Sequence, residues 1–546
     1  MNIIIGGAWP YANGSLHIGH IAALLPGDVL ARYFRAKGDT VCYVSGSDCH
    51  GTPVAIRARQ ENKTAVEISD FYHREFTDCF NRLGFSYDLY AKTSDDEHKR
   101  FVMDFHRKLY AGGYVYEKET LQTYCRVCEK FLPDRFVIGI CPHCGKNARG
   151  DQCEACGSVL EPEALLEAGC SICGSAPELR PTRHLYLAVT RMKDALEAYI
   201  GDHSDWRKNA CEMSARYIRE GLKDRSLTRD LEWGINVPMD GYEEKKIYIW
   251  AENVLGYLSC CNTLCERNSR DFLDFWNSSR QYYVHGKDNI PFHTIILPSL
   301  LLGRTDVQFR LPDDIISSEY MTLEGKKIST SANWAIWVKD ILERYHPDSI
   351  RYFMISNGPE KRDTDFTWRE FVNTHNGELL GAYGNFVNRS LVFIQKYLNN
   401  RIPQTQSTPD IVKGLNSLYA AAGSAIEQGN FKEALESIFA YVRSANKFFD
   451  DEQPWITVKN NPDRCNETMN ACVQIIANLS NLLEPFLPFS SAMVRSFLSI
   501  EKPVWKVVQV SAGLELKPVE ILFERIDKKA VQQEENRLKQ ISAVQG

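Results

Sequence analysis

The N-terminal forty residues constrain this chain most. Residues 2–5 read Asn-Ile-Ile-Ile, an apolar β-branched run that fits a strand buried on both faces. Residues 21–37 read as helix, with Pro26 as a kink. Between them lies Trp9-Pro10-Tyr11-Ala12-Asn13-Gly14-Ser15-Leu16-His17-Ile18-Gly19-His20. Strand, glycine-bearing turn and helix start together present backbone N–H groups and a positive dipole end to an anion. His17 and His20, at i and i+3, share one face and can donate to phosphate oxygens. Gly19 leaves room for a flat ring against the backbone. A glycine turn alone would be ordinary core; the His-Ile-Gly-His directly after a first strand is far more specific.

The chain then continues in β/α alternation. Residues 40–44 form a second β-branched strand, which runs into Ser45-Gly46-Ser47-Asp48-Cys49-His50. Ligands of open α/β sheets bind beyond the carboxyl ends of strands, so Asp48 faces the same crevice as the first turn. On its own Asp48 reads rather as an Asx turn before a helix. Thr64 with Glu67 and Ser94 with Glu97 both have capping-box spacing. Gly112-Gly113 closes the second of these helices.

Four Cys-x-x-Cys pairs then crowd into residues 125–173: Cys125/Cys128, Cys141/Cys144, Cys153/Cys156 and Cys170/Cys173. Two pairs complete one tetrahedral zinc site, so eight thiolates hold two ions. Gly145, Gly157 and Gly174 each follow the second cysteine of a pair, as knuckle turns require. Four thiolates close the metal's shell, which makes the sites structural. A redox reading of Cys-x-x-Cys is minor, since no thioredoxin-like unit surrounds them.

In the second half, residues 246–250 read as a strand and 251–257 as the start of a helix. Residues 282–284 are another strand, ending in His285-Gly286-Lys287-Asp288, with a helix following through Ile290, His293 and Leu297. Strand-like residues 315–320 lead into Leu323-Glu324-Gly325-Lys326-Lys327-Ile328-Ser329-Thr330-Ser331. Lysines and hydroxyls on such a loop can neutralise a triphosphate as its charge shifts. From Trp368 the period is helical, with Leu380, Tyr383, Val387, Leu391, Ile394 and Leu398 as one stripe. A linker at 403–409 precedes further helices near 434–449 and 473–487, giving a bundle. A segment at 516–526 and a charged helix from Lys528 pack back on the body.

Composition narrows the setting. Seventeen cysteines and no basic, cleavable leader point to reduced thiols or metal ligands and a cytoplasmic location. No run of apolar residues is long enough to span a bilayer. A net charge of −6 leaves room for a nucleic-acid partner only through a local basic patch.

His17-Ile18-Gly19-His20 is the HIGH signature, and residues 10–17 resemble its form in the methionyl-tRNA synthetase family of class I. The loop Lys327-Ile328-Ser329-Thr330-Ser331 resembles KMSKS, with Thr330 where the second lysine usually stands. Five such motifs in family order span essentially the whole chain. The resemblance implies an α/β fold: a Rossmann-like parallel-sheet catalytic domain with a zinc-knuckle insertion, followed by an α-helical bundle that binds the anticodon. The corresponding divisions are 1–114 and 231–320 for the two catalytic halves and 115–230 for the insertion. Residues 321–367 would be the KMSKS-like loop and stem contact, 368–500 the anticodon domain, and 501–546 the returning C-terminal segment. The insertion is too short for the editing domain of the leucyl, isoleucyl and valyl relatives.

By resemblance, His17, His20, Lys327 and Thr330 are catalytic. Asn13, Gly19, Gly286, Asp288, Lys326 and Ser329 would bind ATP. Trp9, Tyr11, Asp48, Trp250, Tyr257, Asn289, Phe292 and His293 would bind methionine, with Asp48 on its α-ammonium. The frequent bacterial pattern Asp-Ala-Pro-Ile-Gly-Tyr is here Glu252-Asn253-Val254-Leu255-Gly256-Tyr257. The family also implies that the outer cysteine pairs share one Zn²⁺ and the inner pairs the other, and that Mg²⁺ accompanies ATP. Asn385, Arg389 and Trp455 match anticodon-reading positions, although a lone Trp in a bundle is usually core. The implied partners are methionine, ATP and tRNA(Met), initiator included, with no membrane and a monomeric chain. Two other readings stay open: a class I synthetase for another amino acid, and a catalytically weak zinc-containing RNA-binding paralogue, for which Thr330 is the best support.

Overall fold

The computed structural model describes residues 1–546 apart from 134–135, 151–152, 154–155, 157, 159, 161, 331, 406–408 and 544–546. Gly157, Ser331 and part of the 403–409 linker thus lie outside the described residues. The strands that matter here are β1 (Asn2–Gly7), β2 (Thr40–Ser47), β3 (Leu89–Lys92), β4 (Val115–Cys125), β5 (Glu178–Leu187), β6 (Ser279–Gly286) and β7 (Asp314–Ser318). Five of them form one sheet in the order β7-β6-β1-β2-β3. Every pairing in it is parallel. β1 pairs Asn2 with Ser279 on one side and with Thr40 on the other. Ile3, Ile4 and Ile5 are fully buried, as a strand covered on both faces requires. The chain winds outward from β1 to β3, then returns to the other edge of β1 with β6. The switch point between β1 and β6 is where such sheets bind ligands.

The insertion leaves this sheet on a stem. β4 and β5 are antiparallel and paired from Val115↔Leu187 to Tyr124↔Glu178. At the far end of that ladder Cys125, Cys141, Cys153 and Cys170 share a small core with Leu132, Phe136, Val137 and Leu165, and Cys128 packs against it.

Helix α1 (Ile18–Lys37) begins three residues earlier than expected, because His17 acts as its N-cap. It spans the back of the sheet and is almost wholly buried, including Asp28 and Pro26. Asp28 is fully buried. Its Oδ2 accepts from Arg351 Nη2 at 2.7 Å and Arg32 Nε at 2.9 Å, while its Oδ1 accepts from the Ser86 backbone N and hydroxyl, both at 2.7 Å. Arg32 also reaches Glu484 at 2.7 Å, and Glu484 pairs with Arg495 at 2.6 Å. Arg351 donates further to the carbonyls of Leu83, Pro485 and Phe486. The parallel-sheet half and the C-terminal bundle are thereby tied through buried charge.

Several local expectations need correction. Residues 246–250 are not one strand: only Lys246–Ile247 pairs, with Thr228–Arg229, and Tyr248 caps a helical turn at Ile249–Glu252. Ser94 is not a cap; the helix Asp96–Ala111 starts at Asp95, whose Oδ2 is instead bonded to the Lys92 backbone N. Thr64 and Glu67 do form their capping box. Leu379 rather than Leu380 is buried, because His375–Gly384 is wound as a π-helix and shifts the stripe. The bundle also contains Pro409–Glu427 and Pro454–Asn460, which the apolar period did not reveal, and Pro462–Leu482 ends before Leu487. The C-terminal helix Lys529–Ala543 does return to the body: Glu534 accepts from Arg344 at 2.6 Å and 3.0 Å.

Burial alone would raise the Asp28 carboxyl; Arg32, Arg351 and Ser86 outweigh it and hold it at about 2, against an ordinary 3.8. Asp28→Asn should cost about 3–5 kcal/mol by leaving buried guanidinium charge unpaired. The gap from wild type in denaturant midpoint should be complete above about pH 4 and vanish as pH falls toward 2, since a depressed carboxyl stabilises only while ionised.

Candidate functional site

The β1–α1 turn supplies the first wall of the site. His17 Nδ1 accepts from the Gly19 backbone N at 3.2 Å, and His20 Nδ1 accepts from the His17 backbone N at 3.1 Å. The two imidazoles are therefore a reciprocal helix cap, with ring centroids 3.9 Å apart. With both Nδ1 atoms accepting, each ring carries its proton on Nε2. Burial, then the neighbouring His20, pushes His17 well below its ordinary value. Burial likewise lowers His20 to about 4, partly opposed by its bond to the His17 backbone. Both rings are thus neutral near pH 7, half-exposed, and fixed as Nε2–H donors at a helix N-terminus.

The Lys326–Thr330 segment faces this turn. A Cβ on Gly19 would lie 3.5 Å from Ile328 Cδ1, so the two signature segments meet at that glycine. Beyond the loop, Ile336 O accepts from Ile18 N at 3.1 Å and Leu16 O from Val338 N at 2.8 Å. The loop is a hairpin of Met321–Leu323 and Lys326–Lys327 turned at Glu324 (φ 48°) and Gly325 (φ 74°). Asp365 accepts from Gly325 N at 3.0 Å and from the Thr322 hydroxyl at 2.6 Å, fixing that turn. Lys326, Lys327 and Thr330 are exposed, with Lys326 Nζ 4.6 Å from the Trp334 ring centroid. Ser329 and Trp334 exchange backbone bonds at 3.0 Å and 2.9 Å. From β6, Gly286 leaves open space beside it, and Asp288 is exposed and accepts from the Tyr320 hydroxyl. Asn13 is half-exposed at the opposite rim.

A cavity opens beside this cleft. All eight residues expected at a small-molecule pocket line it: Trp9, Tyr11, Asp48, Trp250, Tyr257, Asn289, Phe292 and His293. Ala8, Asn253 and Val254 join them, and sequence reasoning missed these three. The Glu252-Asn253 departure from the family pattern was the available signal. The aromatic wall is locked by polar contacts. Trp250 Nε1 donates to the Tyr11 hydroxyl at 3.0 Å, and the Trp250 and Phe292 rings lie 4.2 Å apart. His293 Nδ1 donates to Asn289 O at 2.9 Å, so its Nε2 accepts from the Tyr257 hydroxyl, also at 2.9 Å. Burial lowers His293 to about 4, and it is neutral. At the polar end Asp48 is 2% exposed. Burial, then the nearby Glu252, pushes its carboxyl well above the ordinary range. A ligand ammonium would be stabilised in such a corner.

Two glycines shape the pocket floor. A Cβ on Gly46 or on Gly256 would come within 2.4 Å of the Trp9 ring, so the indole lies flat between them.

The cysteines form the two tetrads of the outer and inner pairs. Their Sγ atoms all lie within 4.8 Å of one another in each group. Cys125–Cys173 and Cys128–Cys170 are 3.4 and 3.9 Å apart; Cys141–Cys156 and Cys144–Cys153 are 3.8 and 3.5 Å. A tetrahedral ion about 2.3 Å from each sulfur needs about 3.8 Å between sulfurs, so both groups fit zinc. Gly145 and Gly174 take φ of 70° and 78° after their pairs. Where the first pair lacks glycine, Glu129 adopts φ 53°.

In the bundle, Arg389 donates to Asp450 at 2.7 Å and to Asn446 O at 2.6 Å, and lies 4.3 Å from the Phe449 centroid. Trp455 packs beside Phe449 yet is 46% exposed, which a core tryptophan would not be. Asn385 is exposed at the start of its helix.

Comparison with known proteins gives the family. A family model described as class I tRNA synthetases (M) matches residues 3–391, and one described as the anticodon binding domain of methionyl tRNA ligase matches 403–543. Methionine–tRNA ligase 1 of Alkaliphilus oremlandii (strain OhILAs) is 53% identical over 537 residues, 98% of this chain and 99% of that protein. The methionine–tRNA ligase of Bacillus cereus (strain G9842) is 53% identical over 542 residues, with the same coverage. A crystal structure of Mycobacterium tuberculosis methionyl-tRNA synthetase bound by methionyl-adenylate shares the fold: TM-score 0.80 at 20% identity, covering 96% of this chain and all of that one.

Gly256 has ordinary helical angles (φ −57°, ψ −35°), so alanine there strains nothing but the Trp9 contact. Gly256→Ala should cost about 1–3 kcal/mol by overpacking. A lower melting temperature with an altered tryptophan emission spectrum would register it.

Proposed function

The chain belongs to the methionyl type of class I tRNA synthetases, and on that premise we infer that it activates methionine with ATP and transfers the methionyl group to the 3′-terminal adenosine of tRNA(Met). The observation that carries this reading is the eleven-residue pocket ending in Asp48, whose Trp9 and Tyr11 belong to the same turn that leads into the anion-facing start of α1. Asp48 takes the α-ammonium, and the Trp9, Trp250, Tyr257 and Phe292 wall takes the thioether, for which sulfur–ring contacts are favourable. The carboxylate is then aimed at the α-phosphate beside α1. Attack there gives methionyl-adenylate and pyrophosphate, and the adenosine ribose hydroxyl next displaces AMP.

The residues act by position and charge, and no covalent enzyme intermediate is needed. His17 and His20 donate Nε2–H to phosphate oxygens without changing protonation near pH 7. Lys326, Lys327, Ser329 and Thr330 cover the departing pyrophosphate; Asn13, Gly19, Gly286 and Asp288 receive the rest of the nucleotide. Magnesium accompanies ATP as its counterion. Each cysteine tetrad holds one structural Zn²⁺, with no open position for chemistry. Exposed Trp455, with Asn385 and Arg389, reads the methionine anticodon, initiator tRNA included, through stacking and hydrogen bonds. No helix among the described residues is long and apolar enough to cross a membrane. The working form is a cytoplasmic monomer.

The wild-type protein should catalyse methionine-dependent pyrophosphate exchange and no other amino acid should replace methionine. His20→Ala should lower that exchange by about 2.7–4 kcal/mol of transition-state stabilisation, roughly 10²–10³-fold, with the protein still folded. Near-normal exchange in the variant would remove His20 from the site. Elemental analysis should find two zinc ions per chain. Chelation should disorder the insertion before the catalytic sheet, since metal binding supplies the folding energy of such knuckles.

A further inference from the structure

Glu252 and Asn253 replace the Asp-Ala pair frequent in the family, and both turn inward at the polar corner of the pocket. Glu252 is fully buried and pairs through Oε1 with His50 Nδ1. Asn253 Nδ2 donates to Asp48 Oδ2 at 2.6 Å. The Asp48 backbone is already fixed: its N donates to Pro10 O and its O accepts from Ala12 N, both at 2.8 Å. Its side chain is not fixed by those bonds. The torsion that turns a carboxylate is broad and roughly two-fold, so an unpartnered Asp48 would sweep its oxygens through the corner. Oδ1 has only a long contact, 3.4 Å, from the His50 backbone N. One oxygen is therefore held and the other is left for a ligand.

We propose that Asn253 is a positioning residue for the amino-acid substrate, whose amide holds Asp48 Oδ2 and so presents Oδ1 to the substrate α-ammonium. This rests on the methionine reading above. Glu252 adds a second buried carboxyl group near Asp48, itself bonded to His50. That carboxylate pair makes an oriented Asp48 worth more here than in a solvated site, because a misplaced charge has no water to turn to. The competing role for Asn253 is plain space-filling, in which case its amide is incidental.

The two roles separate by ligand. Methionine carries the ammonium; 2-hydroxy-4-(methylthio)butanoate carries the same thioether and carboxylate but a hydroxyl in its place. Asn253→Ala and the similarly sized Asn253→Leu should each raise the methionine KM in pyrophosphate exchange about tenfold, the effect of losing a hydrogen bond to a charged group. The ATP KM and kcat should stay within about twofold, and the inhibition constant of the hydroxy analogue should stay at its wild-type value. An unchanged methionine KM in both variants overturns the proposal. So does a parallel rise in methionine KM and analogue inhibition constant, which marks a space-filling residue. If the wild-type protein shows no methionine-dependent exchange, the methionine reading itself fails, a result distinct from either.

Discussion

The buried carboxylate of Asp28 holds the molecule together. It sits in the middle of α1, the helix whose first turn carries both site histidines. Arg351 reaches it from a helix of the second half and continues to the Pro485 and Phe486 carbonyls at the turn between two bundle helices. Glu484 closes the network with Arg32 and Arg495. A helix sliding along a sheet meets little resistance from apolar contacts alone, whereas a buried charge with four directed donors tolerates little displacement. The start of α1 is thereby fixed relative to the bundle by one residue about three turns further along the helix. Stability and the aim of the phosphate-facing donors depend on the same ion network.

The site itself relies on neutral donors placed by hydrogen bonds. Helix capping consumes Nδ1 of His17 and His20, and burial keeps the rings uncharged. His293 is also neutral but in the opposite tautomer, its Nδ1 donating to Asn289 O and its Nε2 accepting from the Tyr257 hydroxyl. Ionisable charge sits elsewhere: on the exposed lysines of the loop, on exposed Asp288 and in the buried carboxyl corner. Rings that do not titrate near neutrality keep their orientation as phosphate charge comes and goes, which is what pre-organised electrostatic stabilisation requires.

Much of this was legible in the sequence because the informative features are local. A β-branched run, a glycine turn and two histidines specify β1 and the start of α1 with little help from the remainder of the chain. Cysteine spacing announces knuckles, although only the fold shows the outer pairs meeting around the inner ones. Features set at a distance were hidden. The capping role of the histidines needed three-dimensional placement, and the Ser94 motif lost to Asp95 one residue on. The π-helix His375–Gly384 defeats any reading at 3.6 residues per turn, so the buried leucine moved by one. Whether Trp455 was core or surface depended on neighbours some distance away in sequence. Asn253 stood out as a departure, but its partner lies 205 residues earlier.

The strand order carries a consequence for biosynthesis. β1 is a central strand, and its second neighbour is β6, about 270 residues later. At roughly 5–20 residues per second, a ribosome needs about 15–55 s to deliver that partner. Throughout that interval the apolar edge of β1, with Ile3, Ile4 and Ile5, has β2 on one side and nothing of its own sheet on the other. An unpaired, hydrophobic strand edge is a template for wrong association. The insertion, folding on its own stem in the meantime, lengthens the wait. A chain wired this way must keep that edge covered, or be made quickly enough, until residues 279–286 emerge to pair with it.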